Sequence, residues 1–247
     1  MKWLGLETST RACSVAVSDG ATVLAEMTVA GRDRPSDQLM PAVEQVLAAA
    51  GLALADLDGV AVSAGPGSFT GLRVGVTAAK TLAYALGKPV TAVSSLDVLA
   101  SNVPAPRWSV AAASGGPVGT PLSRRTTPPW SLWVLVDARK EKLYAARYEP
   151  SNDSWPARVG AEQLVTLDHL VPQLTGELAI IGDGLLRYGA AIQQALGDRC
   201  HALAPALWVP RASAVCRLAA TGAVPAADPH ALVPRYLYSN ESDVTGW

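Results

Sequence analysis

Cysteine is scarce: Cys13, Cys200 and Cys216 are the only thiols in 247 residues. An odd number, so far apart, fits neither a disulfide framework nor a CxxC metal site, and the three read as reduced thiols. Charge is scarce as well, at 17% of residues against about 25% for an ordinary soluble domain. Twenty basic side chains against 21 acidic ones leave a net charge of −1, so the chain by itself has no footprint for gripping a phosphate backbone. Aromatics make up 6% with a single phenylalanine, and Trp130, Trp133 and Trp155 therefore read as core residues rather than base-stacking platforms. No apolar run approaches the roughly 18 residues of a membrane span, and Glu7 arrives too early for a signal-peptide core of about 7 to 15 apolar residues. The expectation is a cytoplasmic protein with no membrane contact.

What the sequence has in plenty is small apolar residues: 49% of it is hydrophobic, enough for a sizeable core and too much for a disordered chain. Its opening reads strand, turn, strand, turn, strand: Trp3 to Glu7, the polar Thr8-Ser9-Thr10-Arg11, Ala12 to Ser18, a hairpin at Asp19-Gly20, and Thr22 to Glu26. Ser36 and Asp37 are positioned to cap a helix carrying Leu39, Met40, Val43, Val46 and Leu47 on one face and stopping at Gly51. A short buried strand at residues 60–63 leads through a glycine-rich turn into a long helix over residues 70–86, ended by Lys88-Pro89, with another strand at 90–93 and a helix at 96–100. Residues 102–130 then turn proline- and glycine-rich, the composition of a loop or flexible insert. Strand patterns resume at 132–137, 142–148 and 178–181, with helices at 185–196 and 212–220. The reading is α/β, with a first lobe over residues 1–101, the insert over 102–130 and a second lobe with its tail over 131–247.

The strand, glycine turn and helix around residues 60–86 raise the question of a phosphate loop. Glycines at 65, 67 and 71 are one residue off the dinucleotide spacing, and no G-K-[ST] follows. A tight turn with Ser68 or Thr70 capping the helix accounts for the pattern. The helix is more specific: Gly71, Gly75, Ala79 and Ala83 recur every fourth residue and form a stripe with almost no side chain. A glycine inside a helix costs about 1 kcal/mol relative to alanine, and close approach of another element is the usual compensation. That element is either part of the same fold or another subunit docking on this helix and on the one bearing Leu39 and Val43.

The segment Gly65-Pro66-Gly67-Ser68-Phe69-Thr70-Gly71-Leu72-Arg73-Val74-Gly75 resembles the signature of the TsaB (YeaZ) family. So do Leu6-Glu7-Thr8-Ser9-Thr10, Val93-Ser94-Ser95-Leu96, Asp137-Ala138-Arg139, Gly182-Asp183-Gly184 and Pro234-Arg235-Tyr236-Leu237, leaving only the insert without a counterpart. The resemblance implies a two-lobed fold of the actin-like, sugar-kinase ATPase superfamily. It implies a non-catalytic partner of TsaD in forming threonylcarbamoyladenosine beside the tRNA anticodon, working also with the ATPase TsaE, pairing with itself when alone, and meeting tRNA through the complex. ATP and metal are then expected on the partner subunits, with no cofactor required by this chain. The partner-binding residues would be Leu39, Val43, Gly71, Leu72, Gly75, Ala79 and Ala83. Two departures stand out: Glu7 where many family members carry Asp, and Ser36 near where they carry His.

Two other activities compete. A small-molecule kinase or ATPase of the same fold would hold nucleotide at Thr8, Ser9 and Thr10 together with Asp137, Gly182 and Gly184, but its first loop lacks the glycine that lets backbone N–H groups approach an anion. A glycoprotease-like peptidase would need a partner for Ser68, Cys13 or Cys200, and His169, His201 and His230 fall in no zincin pattern and are nowhere four apart.

Overall fold

A computed structural model describes residues 1–30, 35–103, 131–151 and 155–238. They divide into two units, Met1–Val98 with Pro210–Trp247, and Leu99–Val209. The first is built on a five-stranded sheet of β1 (Lys2–Glu7), β2 (Ala12–Asp19), β3 (Thr22–Ala30), β4 (Gly59–Ser63) and β5 (Val90–Val93), in the order β3-β2-β1-β4-β5. The first three strands form the expected antiparallel meander, Asp19 pairing with Thr22 across a two-residue loop in which Gly20 takes φ 56°. β4 and β5 then add in parallel, which requires the crossover through the helix between them.

Period-two alternation explains how this sheet is covered on both sides. Leu4, Leu6, Val15, Val17, Val60 and Val62 share one core with α1 (Pro35–Ala50) and α2 (Phe69–Leu86). Trp3, Ala16, Ala61 and Val93 belong to a second core with α6 (Ala212–Ala220). Side chains this fully buried contribute about 1.5–3 kcal/mol each for the larger ones, so the two faces together dominate the unit's stability. Helix α1 begins at Pro35, which places Ser36 and Asp37 inside its first turn instead of at the cap. Pro at the first helical position costs no hydrogen bond, because that N–H has no intrahelical partner in any case.

The second lobe was expected to run from residue 131 to the C-terminus, and the structure corrects this: from Pro210 onward the chain returns to the first unit. The reason is the fit of α6 on β1. A Cβ on Gly5 would lie 2.5 Å from the carbonyl oxygen of Ala212 and 2.6 Å from Cys216 Sγ, so the absent side chain admits the helix. Ala212 N–H donates to Ser14 Oγ at 3.1 Å and Ser213 N–H to Glu26 Oε1 at 2.9 Å, anchoring the helix start to β2 and β3.

The second unit repeats the topology: β6 (Ser131–Asp137), β7 (Lys142–Glu149), β8 (Ala157–Thr166), β9 (Leu178–Ile181) and β10 (Cys200–Ala202) in the order β10-β9-β6-β7-β8. Again three strands are antiparallel and two parallel. Trp133, Leu135, Leu143 and Ile180 pack against Leu185, Ile192 and Leu196 of α5 (Gly184–Leu196), confirming Trp133 as core. Strands β8 and β10 were absent from the sequence reading. Of the expected insert, Asn102 and Val103 are described, Val103 buried and Asn102 donating from Nδ2 to the carbonyls of Leu207 and Val209. Residues 104–130, Trp130 included, lie outside the described residues. Among the described residues no helix is long and apolar enough to cross a membrane.

Candidate functional site

The glycine-rich turn hands the chain from β4 to α2. Ser68 is the N-cap, its Oγ accepting the Gly71 N–H at 3.3 Å, and Gly87 ends the helix in the left-handed region at φ 61°. The turn is tied down on three sides: Ser68 N–H donates to Ser9 O at 2.7 Å, Arg235 N–H to Ala64 O at 2.7 Å, and Ser95 N–H to Gly65 O at 3.0 Å. Ser68 N–H and Gly71 N–H are thus both engaged within the fold.

Three signature glycines have one shared neighbour. A Cβ on Gly67 would stand 2.4 Å from Ser9 O, one on Gly71 2.0 Å from Thr8 O, and one on Gly75 2.2 Å from Thr8 Oγ1. The small-residue stripe therefore receives the turn between β1 and β2, and Thr8 Oγ1 locks it by donating to the Gly71 carbonyl at 2.7 Å. This corrects the expectation of a partner surface along the stripe. Leu39, Val43, Leu72, Ala79 and Ala83 are each no more than 1% exposed, and Gly71 and Gly75 are buried with them. All seven are packing inside the first unit. Period four identified the side of α2 that something approaches closely; it carried no information on what approaches.

Beneath the turn lies Glu7, fully buried at the end of β1. Its Oε1 accepts the Ser9 N–H at 2.6 Å, and Oε2 has no hydrogen-bond partner among the described residues. Burial pushes its pKa above the ordinary carboxyl value, against the hydrogen bonds from Ser9 and Ser63 that pull it down. No cation pairs with it among the described residues, so no opposite charge offsets the cost of burying its own. Ser63 and Ser95 share a 2.7 Å hydroxyl–hydroxyl bond, and Thr10 Oγ1 accepts the Ala12 N–H at 3.2 Å. Thr8, Ser9 and Thr10 thus hold their own turn together.

The other residues weighed for a nucleotide belong to the second unit. Asp137 ends β6, its N–H donating to Asp183 Oδ1 at 3.0 Å and its Oδ1 accepting the Arg139 N–H at 2.9 Å. Burial, with the nearby Asp137 charge adding to it, holds the Asp183 carboxyl above its ordinary range. Gly182 at φ 113° would set a Cβ 2.1 Å from Leu135 O, and Gly184 would set one 2.7 Å from Leu143 Cδ2. Asp137, Gly182 and Gly184 therefore bring β9 and α5 tightly against β6. The hairpin they support is strained, with Arg139, Lys140 and Glu141 all left-handed at φ 65°, 45° and 59°. The thiols offer no nucleophile: burial pushes Cys13 and Cys200 up to about 11 and Cys216 up to about 12.

The opposite side of α2 carries the chemistry that sequence reasoning passed over. Phe69, Arg73, Lys80 and Tyr84 follow one another along this outer side, Tyr84 with 67% of its surface exposed. The C-terminal segment reaches all four. The Arg73 guanidinium lies 3.8 Å from the Phe69 ring centroid, and its Nε donates to Tyr236 Oη at 3.3 Å. Phe69 and Tyr236 have centroids 5.1 Å apart. Further along, Lys80 Nζ donates to the His230 carbonyl at 3.3 Å, and the Tyr84 and His230 rings meet edge-on at 5.1 Å. Met40, on α1, is also exposed. The available signal was Pro234-Arg235-Tyr236-Leu237, whose role only the fold reveals.

A family model described as TsaD, tRNA N6-adenosine threonylcarbamoyltransferase, matches residues 30–224. The chain is 30% identical over 245 residues, 98% of its own length and 96% of the relative's, to the tRNA threonylcarbamoyladenosine biosynthesis protein TsaB of Bacillus subtilis (strain 168). The protein of that name in Escherichia coli (strain K12) is 29% identical over 187 residues, 74% of this chain and 72% of the relative. Among solved structures, YeaZ from Pseudomonas aeruginosa superposes with a TM-score of 0.73 at 25% identity, covering 96% of this chain and 99% of that one.

Proposed function

The chain belongs to the TsaB family of tRNA threonylcarbamoyladenosine biosynthesis proteins, and from that premise we propose that it is the non-catalytic partner of TsaD in forming threonylcarbamoyladenosine next to the tRNA anticodon. The observation that carries this reading is the contrast between the two sides of α2. On the inner side, Glu7 to Thr10 and the signature glycines are consumed in holding the unit together. On the outer side, Arg73 and Tyr84 stand exposed, residue types enriched where binding energy concentrates at protein interfaces. TsaD docks on the outer faces of α1 and α2, with the inward residues named above shaping those helices from behind. TsaE joins the assembly, ATP and metal act on the partner subunits, and tRNA meets this chain through the complex. Without TsaD the same helices support self-association.

The test is reconstitution. Purified chain with threonylcarbamoyl-adenylate and tRNA is expected to yield no modified adenosine, and addition of TsaD is expected to restore the product. Substantial product without TsaD, or no complex between the two on gel filtration, would overturn the reading.

A further inference from the structure

Resting on the reading of the outer side of α2 as the docking face, we propose that Arg73 anchors a carboxylate of the TsaD partner and that Tyr236, on the C-terminal segment, is the clamp that holds Arg73 ready for it. The segment is fixed, not loosely draped. Ala227 bridges to Val90, its N–H donating at 2.7 Å, Arg235 N–H donates to Ala64 O at 2.7 Å, and between them Leu232 joins the core shared by α1 and α2. A single turn opens it, the Asp228 carbonyl accepting the Ala231 and Leu232 N–H groups at 3.0 Å, and Pro234, with no N–H to donate, follows the turn. Its contacts run antiparallel to α2, with His230 beside Lys80 and Tyr84, and Tyr236 beside Phe69 and Arg73.

At the Tyr236 end, two of the three surfaces of the guanidinium are already used. One face lies over Phe69, and Nε is bonded to the tyrosine hydroxyl. The terminal amino groups have no partner among the described residues. A guanidinium so held presents a flat pair of donors, the geometry that a carboxylate accepts in bidentate fashion. Because the chain has already ordered it, less conformational freedom is lost when a partner arrives. Charge also ranks the occupants: a second copy meeting this face about a two-fold axis would bring its own Arg73 and Lys80 towards these, which makes self-association the weaker pairing, whereas an acidic side chain complements the face.

Calorimetric titration of the full chain with TsaD tests this in five forms: parent, Arg73→Ala, Arg73→Lys, Tyr236→Phe and the Arg73→Ala/Tyr236→Phe double variant. Tyr236→Phe keeps the ring against Phe69 and removes only the hydroxyl; it is expected to weaken binding about threefold to tenfold with the thermal midpoint unchanged. Arg73→Ala is expected to weaken binding about tenfold or more, with Arg73→Lys close behind it because the fork is lost. The double variant should bind no more weakly than Arg73→Ala alone, since the clamp acts only through the arginine. Unchanged affinity in Arg73→Ala would overturn the docking-face reading itself. A loss in Arg73→Ala that leaves Tyr236→Phe at parental affinity, or that adds fully to it, would overturn the clamp and leave the face standing. Full rescue by Arg73→Lys would overturn the carboxylate fork. The arginine pair carries this outcome whatever happens to the stability of the tyrosine variant.

Discussion

Adding one carbon at Gly75 tests the interlock that places α2. Gly75→Ala would set a Cβ 2.2 Å from Thr8 Oγ1, well inside van der Waals contact. Thr8 has little room to yield, because it is fully buried and its hydroxyl donates to Gly71 O at 2.7 Å. Overpacking of this kind costs about 1–3 kcal/mol, and displacing the hydroxyl from a buried carbonyl costs about 1–3 kcal/mol more. Against this stands a gain of about 1 kcal/mol from replacing a helical glycine with alanine. The net is a destabilisation of about 1–5 kcal/mol, or a fall in thermal midpoint of about 3–15 °C at about 3 °C per kcal/mol for a chain of this size. Thr8→Ala in the same chain removes the opposing oxygen and should recover the overpacking part of the loss, while the hydrogen bond to Gly71 O stays absent. Gly71→Ala supplies the contrast: its Cβ would meet the backbone oxygen of Thr8 at 2.0 Å, which no side-chain truncation removes. Thr8→Ala should therefore leave Gly71→Ala destabilised. Differential scanning calorimetry of the five proteins checks the set. A Gly75→Ala variant as stable as the parent would mean that helix propensity wins and the close approach is not there.

Glu7→Gln should be tolerated, because it keeps the size of the side chain and removes the charge whose burial raises the pKa. Because the folded pKa of Glu7 is raised, its stabilising contribution is complete at low pH and is lost as pH rises through the folded value, so urea titrations from about pH 4.3 upward should show the variant gaining on the parent; a flat difference would mean that folding leaves the pKa of Glu7 unshifted. With burial pushing Cys13 and Cys200 up to about 11 and Cys216 up to about 12, none should react with iodoacetamide at pH 8 until the protein unfolds, and rapid native labelling seen by mass spectrometry would contradict the packing around them. Lys140→Gly, in the middle of the left-handed hairpin, should raise the urea midpoint by up to about 1 kcal/mol of stability with an unchanged slope, and a loss of stability would show the strain to be absent.

Sequence reading succeeded where a local rule acts alone. The Asp19-Gly20 turn, the Ser68 cap and the apolar runs of β1, β2, β4 and β6 each have a signal within a few residues, and each appears in place. It failed where the deciding contact is distant. Strand β8 reads ARVGAEQLVT, largely exposed and stitched along one side by the Arg158–Glu162 ion pair, so it lacks the apolar alternation that marks a half-buried strand. Strand β10 has only three residues, too few for a period. The apolar face of α6 suits either sheet, and what decides is the absence of a side chain at Gly5, which sequence separation conceals. The stripe on α2 was legible as a demand for close approach, but Thr8, the residue that meets it, lies 63 positions before Gly71.

Helix α2 consequently depends on its neighbours more than on its own propensity. Two glycines in its first two turns oppose the helical state by about 1 kcal/mol each, in the part of the helix from which Phe69 and Arg73 project. That opposition is offset by contacts from both sides: Thr8 seated on both glycines, with Ser9 on Gly67 just before the helix, and Tyr236 lying against Phe69 and Arg73. Neither contact comes from a neighbouring turn of the chain, so the placement of the outer face is a tertiary property. It follows that a change at residues 8 or 9, with no surface of its own to offer a partner, alters the position of Arg73 through the glycines beneath it. In this chain the segment from Gly65 to Gly75 is then a device for aiming a helix, and its glycines are required by what packs behind the face, whereas the face itself is written in the larger side chains between them.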